Sequence, residues 1–192
     1  MSSYKITYFD APGRAELLRL LFTLANVEFE DERLTGEQFG ALKASGTLPF
    51  GSVPTLTIDG QVFPQSNAIA RYIAREFNLY GQTNLDALRI DAVAEGLVDL
   101  VDKTVMKMFG ASDEEKPALI QSAQEDAGPR YLGGIEQLIV GPFVVGDDIS
   151  YADLYIFGVS GALKDFGLEY PPKVQGVIDR VRERLSDLEK RE

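Results

Sequence analysis

A tyrosine, a glycine turn and an arginine near the start of the chain are the first residues whose types and spacing suggest chemistry. Tyr8 closes a short run of β-forming residues, Pro12-Gly13 predicts a turn, and Arg14 opens a leucine-rich stretch that predicts a buried helix. Helix N-termini carry free amides and partial positive charge, so a phenol and a guanidinium beside one would stabilise an anion. The alternative is a core aromatic at position 8 and a solvated arginine in the helix's first turn.

Two later segments could hold an extended ligand with a carboxylate. Val53-Pro54 stands at the start of a predicted strand. A cis bond there would leave the Val53 backbone facing outward to pair with a ligand, but cis is a minority state and the sequence leaves the isomer open. Gln65-Ser66 opens a predicted helix, where free amides, a hydroxyl and the helix dipole can bind a carboxylate. The alternative is plain capping of that helix, with Ser66 as the N-cap.

Composition limits the chemistry to few groups. The chain has 192 residues, no cysteine and no histidine, which excludes disulfides, thiolate-bound zinc, a cysteine nucleophile and a histidine base. The net charge of -11 would repel nucleic acid and anionic lipid. No apolar run reaches the ~18 residues of a membrane span, and the start lacks the pattern of a secretory signal. We therefore expect a cytoplasmic protein without nucleic-acid or membrane partners. Its chemistry at neutral pH must come from Tyr, Lys, Ser, Thr or carboxylate side chains, or from a reactive group that the ligand brings.

The elements that must position these residues form two groups. The first part of the chain predicts the order βαβ, a short helix, then ββα, with a hairpin turn at Asp59-Gly60. The predicted strands are Tyr4–Phe9, Val27–Arg33, Val53–Ile58 and Gln61–Phe63, and the predicted helices are Arg14–Leu24, Gly36–Ala44 and one after Gln65.

The rest of the chain predicts helices only. They cover Asp86–Met108, Glu114–Val140, Ser150–Phe166 and Lys173–Leu188. Ser150 and Asp153 fit a capping box at the start of the third of these helices, although any surface N-cap would show the same spacing. We expect a domain at residues 1–78, a linker at 79–85 and an all-helical domain at 86–192.

Four motifs together resemble a known family. YFDAPGRAELLR is similar to the first strand and catalytic loop of the cytosolic glutathione transferases, LPFGSVPTLTIDG to their Val-Pro loop, QSNAIARYIAREF to the helix after it, and ISYADL to their capping box. The loop has a tyrosine where other classes have a serine or cysteine, and its pattern Y-F-x-x-x-G-R-A-E resembles that of the sigma class. The resemblance implies an α/β domain with the thioredoxin-like fold, followed by an all-α domain.

The resemblance also implies roles for individual residues. Tyr8 would donate a hydrogen bond to the sulfur of glutathione, the co-substrate, with Arg14 adding positive charge and no metal taking part. The rest of glutathione would be held by Phe39, Lys43, Ser52, Val53, Pro54, Gln65 and Ser66, and by Asp99 from the partner subunit of a homodimer. A hydrophobic electrophile would bind between the domains, against Phe9, Gly13, Met106, Tyr155 and Val159.

Three positions depart from the family pattern. Phe39 replaces a tryptophan, and a phenyl ring has no N–H to bond a carboxylate. Ser52 stands where lysine is common, which removes a cation from the same corner. Met106 replaces an aromatic residue of the glutathione-dependent prostaglandin D synthases, which lowers the case for that isomerase activity. A non-enzymatic relative that binds ligands, like the lens crystallins of this class, is the second alternative.

Overall fold

The chain folds into two compact units, which meet in sequence between Leu79 and Tyr80. The structure, a computed structural model, describes residues 2–190. The first unit combines a sheet with helices and the second is helical. This arrangement is the expected thioredoxin-like domain followed by an all-helical domain.

A mixed four-stranded sheet organises the first unit. Its strands are β1 (Tyr4–Phe9), β2 (Glu30–Leu34), β3 (Thr55–Ile58) and β4 (Gln61–Pro64), in the spatial order β2-β1-β3-β4. β2 runs parallel to β1, whereas β3 is antiparallel to both β1 and β4. The parallel pair needs a crossover, and helix α1 (Glu16–Ala25), entered through a 3-10 turn at Gly13–Ala15, provides it. Helices α2 (Gly36–Ala44) and α3 (Ser66–Glu76) follow β2 and β4.

Local sequence signals explain the ends of these elements. At the β3–β4 hairpin, Asp59 and Gly60 both have positive φ, 48° and 87°, as a two-residue turn with the twist of a hairpin requires. Helix α1 ends at Asn26, which adopts the left-handed conformation. Helix α2 begins at Thr35, whose hydroxyl accepts from the Gln38 amide while the Gln38 side chain accepts from the Thr35 amide.

The core of the first unit lies between the sheet and two helices. Ile6 on β1 and Leu56 on β3 are buried, and α1 and α3 pack together. The helices contribute the buried side chains Leu18, Leu21, Phe22, Ile69 and Ile73. Burying each such side chain stabilises the fold by about 1.5–3 kcal/mol. This core holds the C-terminal end of β1 and the N-terminal end of β3 at fixed positions.

The second unit is built around one long helix. Helix α4 (Asn84–Lys103) packs against α7 (Gly128–Leu138) and α8 (Tyr151–Asp165), and α8 packs against α9 (Pro172–Glu189). The short helices α5 (Val105–Met108) and α6 (Lys116–Ser122) lie between α4 and α7 in sequence. No helix among residues 2–190 is long and apolar enough to cross a membrane.

Two predicted helices are interrupted. The helix predicted over Asp86–Met108 breaks at Thr104, whose φ of -118° and ψ of -86° are not helical. The helix predicted over Glu114–Val140 is three segments, because a π-helical turn at Ala123–Ala127 separates α6 from α7. Pro129 follows that turn and has no N–H for an α-helical hydrogen bond. This missing donor accounts for the change to the longer i→i+5 hydrogen bonds of a π-helix.

Two predicted strands are shorter than expected. β2 begins at Glu30 rather than Val27, and β3 begins at Thr55 rather than Val53. The residues before each strand therefore belong to loops, and for Val53-Pro54 that loop lies at the candidate site.

A buried carboxylate fixes the start of α8. Asp153 accepts hydrogen bonds from the Ser150 amide at 2.8 Å, the Ser150 hydroxyl at 2.6 Å and the Val144 amide at 2.8 Å. Burial raises the pKa of Asp153 to about 6, against the hydrogen bonds from Ser150 and Val144, which lower it. The capping box thus ties the helix terminus to the preceding loop.

Candidate functional site

Strand register places three of the sequence-derived site segments in one row across the sheet. Thr7 pairs with Thr55 and Thr55 pairs with Pro64. Tyr8 follows Thr7, Pro54 precedes Thr55 and Gln65 follows Pro64, so all three lie at the same end of the strands, next to the paired row of Thr7, Thr55 and Pro64. Neighbouring strands are about 4.8 Å apart, so the row spans about 10 Å. This is the length of an extended tripeptide.

The hydroxyl of Tyr8 lies at the entry to helix α1. The backbone N–H of Arg14, in the 3-10 turn before α1, donates to the Tyr8 oxygen at 3.3 Å. The Tyr8 oxygen is thus the acceptor in this bond, which leaves its own O–H to donate elsewhere. Tyr8 is half-buried and Arg14 is exposed. A helix terminus and a phenol therefore meet where the sequence indicated an anion site.

Gly13 lets the backbone approach the tyrosine ring closely. Its φ is +44°, and a Cβ on it would lie 2.6 Å from the Tyr8 oxygen and 2.9 Å from a ring carbon. Side-chain atoms do not approach so closely, so the turn fits over Tyr8 only because this residue has no side chain.

The loop over Tyr8 is anchored from inside by an arginine that the sequence analysis did not identify. The Arg19 side chain is 10% exposed, and its Nη1 donates to the carbonyl of Ala11 at 2.9 Å and of Pro12 at 3.4 Å. Its Nε donates to the two oxygens of Asp31 at 3.1 and 3.2 Å. A charged residue inside the leucine-rich helix was the available signal, because a buried guanidinium needs partners.

A second arginine ties the loop from outside. Arg33 on β2 donates to Asp31 at 2.9 Å and to Asp10, in the loop, at 2.6 Å. These two carboxylates, Asp10 first, raise the pKa of Arg33. Asp10 is 75% exposed, so solvent and salt weaken this outer contact.

At the far end of the row, the start of α3 differs from the expectation. The N-cap is Gln65 rather than Ser66, and the Gln65 side chain makes no capping hydrogen bond. Gln65 has a φ of 76° and a ψ of 98°, a conformation that non-glycine residues seldom adopt and that occurs at ligand clamps. The first-turn amides of α3 are therefore not used by that side chain. The Val53–Pro54 bond, in the loop that leads into β3, is cis.

The third corner of the site joins α2 to the loop before β3. The ring of Phe39 packs edge-on against Phe9, with 5.1 Å between ring centroids, and Phe9 packs in the same way against Tyr8 at 5.4 Å. The stem of Lys43 lies against Gly51, since a Cβ there would be 3.4 Å from the lysine Cε. Ser52 is exposed beside it. The first unit thus carries the sequence-derived residues from Tyr8 to Ser66 on adjoining segments.

The remaining sequence-derived residues lie in the second unit. Asp99 is exposed on α4 and accepts a hydrogen bond from the Tyr131 hydroxyl at 3.2 Å. Met106 lies on α5, and Tyr155 and Val159 lie one turn apart on α8, so they share a face of that helix. Among residues 2–190, no cluster of three or more acidic side chains could hold a metal ion.

Comparison with known families accounts for most of the chain. The family model described as "Glutathione S-transferase, N-terminal domain" matches residues 4–75, and "Glutathione S-transferase, C-terminal domain" matches residues 98–188. These matched segments include Tyr8, Pro54 and Gln65 in the first unit and the capping box of α8 in the second.

Individual proteins agree with the family match. The chain is 39% identical to "Glutathione S-transferase 3" of Caenorhabditis elegans over 81% of its length and 78% of that protein. It is 34% identical to "Hematopoietic prostaglandin D synthase" of Gallus gallus, over 94% of this chain and 91% of that protein. Among solved structures, a "Fasciola hepatica sigma class GST" superposes with a TM-score of 0.84 at 32% identity, covering 99% of this chain and 96% of that one.

Proposed function

The chain belongs to the glutathione S-transferase family, and from that premise we propose that Tyr8 converts the thiol of bound glutathione into the thiolate that attacks a hydrophobic electrophile. The reaction is glutathione transfer, and glutathione is the co-substrate. The assignment of its steps to individual residues is our proposal.

One observation supports it above the others. Tyr8, Pro54 and Gln65 adjoin the paired residues Thr7, Thr55 and Pro64, which span about 10 Å across the sheet at one end of its strands. This span suits extended glutathione with its sulfur at Tyr8. The Arg14 amide that donates to the Tyr8 oxygen polarises the O–H bond, because chains of hydrogen bonds strengthen one another. The tyrosine is therefore a stronger donor than an isolated phenol.

The energy required is within reach of such a donor. A free thiol has a pKa of ~8.5, and the thiolate is the nucleophile. Lowering that pKa by about two requires ~2.7 kcal/mol of preferential stabilisation of the thiolate. One charge-assisted hydrogen bond contributes ~1.5–3 kcal/mol. Tyr8, with help from the charge of Arg14, is sufficient, and the thiol proton leaves to solvent without a base on the enzyme.

The other contacts with glutathione follow from the row. The backbone of Val53, beside cis Pro54, pairs with the cysteinyl residue. Gln65, Ser66 and the uncapped amides of α3 bind the γ-glutamyl carboxylate. Lys43 binds the glycyl carboxylate across Gly51. Ser52 adds a hydroxyl and Phe39 adds an apolar wall there.

We propose that the electrophile binds against neutral, mostly apolar residues. Phe9 and Gly13 offer such surface on the first unit, and Met106, Tyr155 and Val159 on the second. All five are neutral, which suits a hydrophobic second substrate.

Three finer proposals rest on the resemblance of the motifs. We place the chain in the sigma class because Tyr8 begins the catalytic loop and because the similar structure from Fasciola hepatica carries that class name. We also propose a homodimer in which Asp99 of one subunit reaches the γ-glutamyl amine bound to its partner. The proposed location is the cytoplasm.

Substitution of Tyr8 by phenylalanine tests the proposal. The loss of ~2.7 kcal/mol of thiolate stabilisation should lower turnover of a chromogenic aryl halide ~100-fold, with glutathione affinity little changed. Tyr170→Phe is the control, because it also removes a hydroxyl that donates a hydrogen bond, there to the Ser160 carbonyl. Unchanged turnover in the Tyr8 variant would reject the mechanism. A wild-type protein that binds glutathione without turning it over would support the ligand-binding alternative.

A glutathione-dependent isomerase is the second candidate. The similarity to the chicken prostaglandin D synthase over 94% of the chain favours it, whereas Met106 departs from that group at one pocket position. Assays that offer an aryl halide and a prostaglandin endoperoxide in parallel separate the two reactions.

A further inference from the structure

The loop that covers Tyr8 is held by a buried arginine. Arg19 Nη1 donates to the carbonyls of Ala11 and Pro12, while its Nε contacts both oxygens of Asp31 on β2. One guanidinium thus joins the loop, helix α1 and the neighbouring strand. Asp31 itself is fixed from the other side by Arg33.

Stability alone is a poor explanation for this arrangement. Removing a guanidinium and a carboxylate from water costs several kcal/mol, and apolar replacements of buried ion pairs are often as stable or more so. Arg19 Nη2 is also buried and has no hydrogen-bond partner among the described residues. A buried donor without a partner costs stability rather than adding to it.

The carbonyls that accept from Arg19, those of Ala11 and Pro12, lie next in sequence to the residues that contact Tyr8. Pro12 is followed by Gly13, whose backbone packs against the Tyr8 ring, and then by Arg14, whose N–H donates to the Tyr8 oxygen at 3.3 Å. A shift of the loop would lengthen that bond further, and at 3.3 Å it is already longer than the usual ~2.7–3.2 Å of N–H···O bonds. The position of this amide therefore depends on the arginine beneath the loop.

We propose that Arg19, paired with Asp31, is a positioning residue for the transfer reaction. It holds the loop so that the Arg14 amide polarises the Tyr8 hydroxyl, and it thereby lowers the pKa of the glutathione thiol without touching glutathione. The inference rests on the proposed function, because Arg19 acts only through Tyr8.

The test is the pKa of enzyme-bound glutathione in a double-mutant cycle. Arg19→Lys keeps the positive charge but loses the planar fork that contacts two elements at once. We expect the thiol pKa, followed by the ultraviolet absorbance of the thiolate, to rise by about one, with kcat/KM ~10-fold lower at neutral pH and recovering at high pH. In the double variant with Tyr8→Phe, the thiol pKa should be no higher than in Tyr8→Phe alone.

Arg180→Lys is the matched control. Arg180 also holds a backbone carbonyl, that of Pro142, at 3.0 Å, but in the second unit. Its substitution should leave the thiol pKa unchanged. Asp31→Asn keeps the size of its partner and removes the charge, so it should raise the thiol pKa as Arg19→Lys does.

The outcomes separate the inference from the function that it rests on. A raised thiol pKa in Tyr8→Phe with an unchanged one in Arg19→Lys and Asp31→Asn overturns the positioning role only. An unchanged thiol pKa in Tyr8→Phe overturns the proposed function itself. If Arg19→Lys and Asp31→Asn both fail to fold, the pair is structural and the inference is overturned as well.

Discussion

At the scale of single residues, Gly13 occupies a position where both backbone and space exclude a side chain. Its φ is +44° and a Cβ would lie 2.6 Å from the Tyr8 oxygen. We expect Gly13→Ala to lose about 1–2 kcal/mol of stability through backbone strain. We also expect kcat/KM to fall ~10-fold or more, because the ring or the loop must move. Denaturant titration and turnover assays measure the two effects separately.

Gly46 provides the comparison for that prediction. Its φ is +74°, yet no atom lies within 4 Å of the place where a Cβ would stand. Gly46→Ala should therefore lose stability to a similar extent while keeping full activity. Equal losses of activity in the two variants would show that backbone strain, and not contact with Tyr8, is responsible.

At the scale of elements, the start of α8 makes stability depend on pH. The pKa of Asp153 is about 6 in the folded protein, above its ordinary value of 3.8. The folded state therefore holds this proton more tightly than the unfolded chain does. The contribution of Asp153 to the free energy of unfolding is then greatest well below pH 4 and falls by about 3 kcal/mol in all as the pH rises through about 6.

Denaturant unfolding from pH 4 to 8 tests this dependence. The difference in unfolding free energy between the wild type and Asp153→Asn should decrease by about 2 kcal/mol over that range, since asparagine does not titrate. Asp113→Asn, whose site is 95% exposed, should show no comparable change. A difference that increases with pH would mean that the hydrogen bonds to the carboxylate outweigh its burial.

The sequence predicted the elements better than the contacts between them. Alternating and helical patterns are local, so the order βαβ, helix, ββα was correct. The tie between Arg19 and Asp31 was missed, because a pair on different elements has no local pattern and each residue alone resembles a surface charge. The N-cap was assigned to Ser66 by side-chain preference, but the chain turns at Gln65 with a positive φ that glutamine rarely adopts.

At the scale of the whole molecule, the proposed homodimer makes Asp99 part of the partner's site. One of its oxygens accepts from Tyr131 at 3.2 Å, and the carboxylate retains acceptor capacity for an amine. Exposure on α4 leaves it accessible to another chain. The dimer and this one contact with glutathione are therefore a single prediction, and the contribution of Asp99 should be lost when the dimer dissociates on dilution.

Asp99→Ala measures this link. Loss of a charge-assisted hydrogen bond worth ~1.5–3 kcal/mol should weaken glutathione binding at least ~10-fold in the dimer, because ~1.4 kcal/mol corresponds to a factor of ten. In protein diluted until sedimentation shows monomers, the variant and the wild type should bind equally. Asp102→Ala, three residues along the same helix, is the control and should leave the affinity unchanged. Weaker binding by the Asp99 variant in monomers would place the contact within one chain, since no partner would then be present to supply the carboxylate.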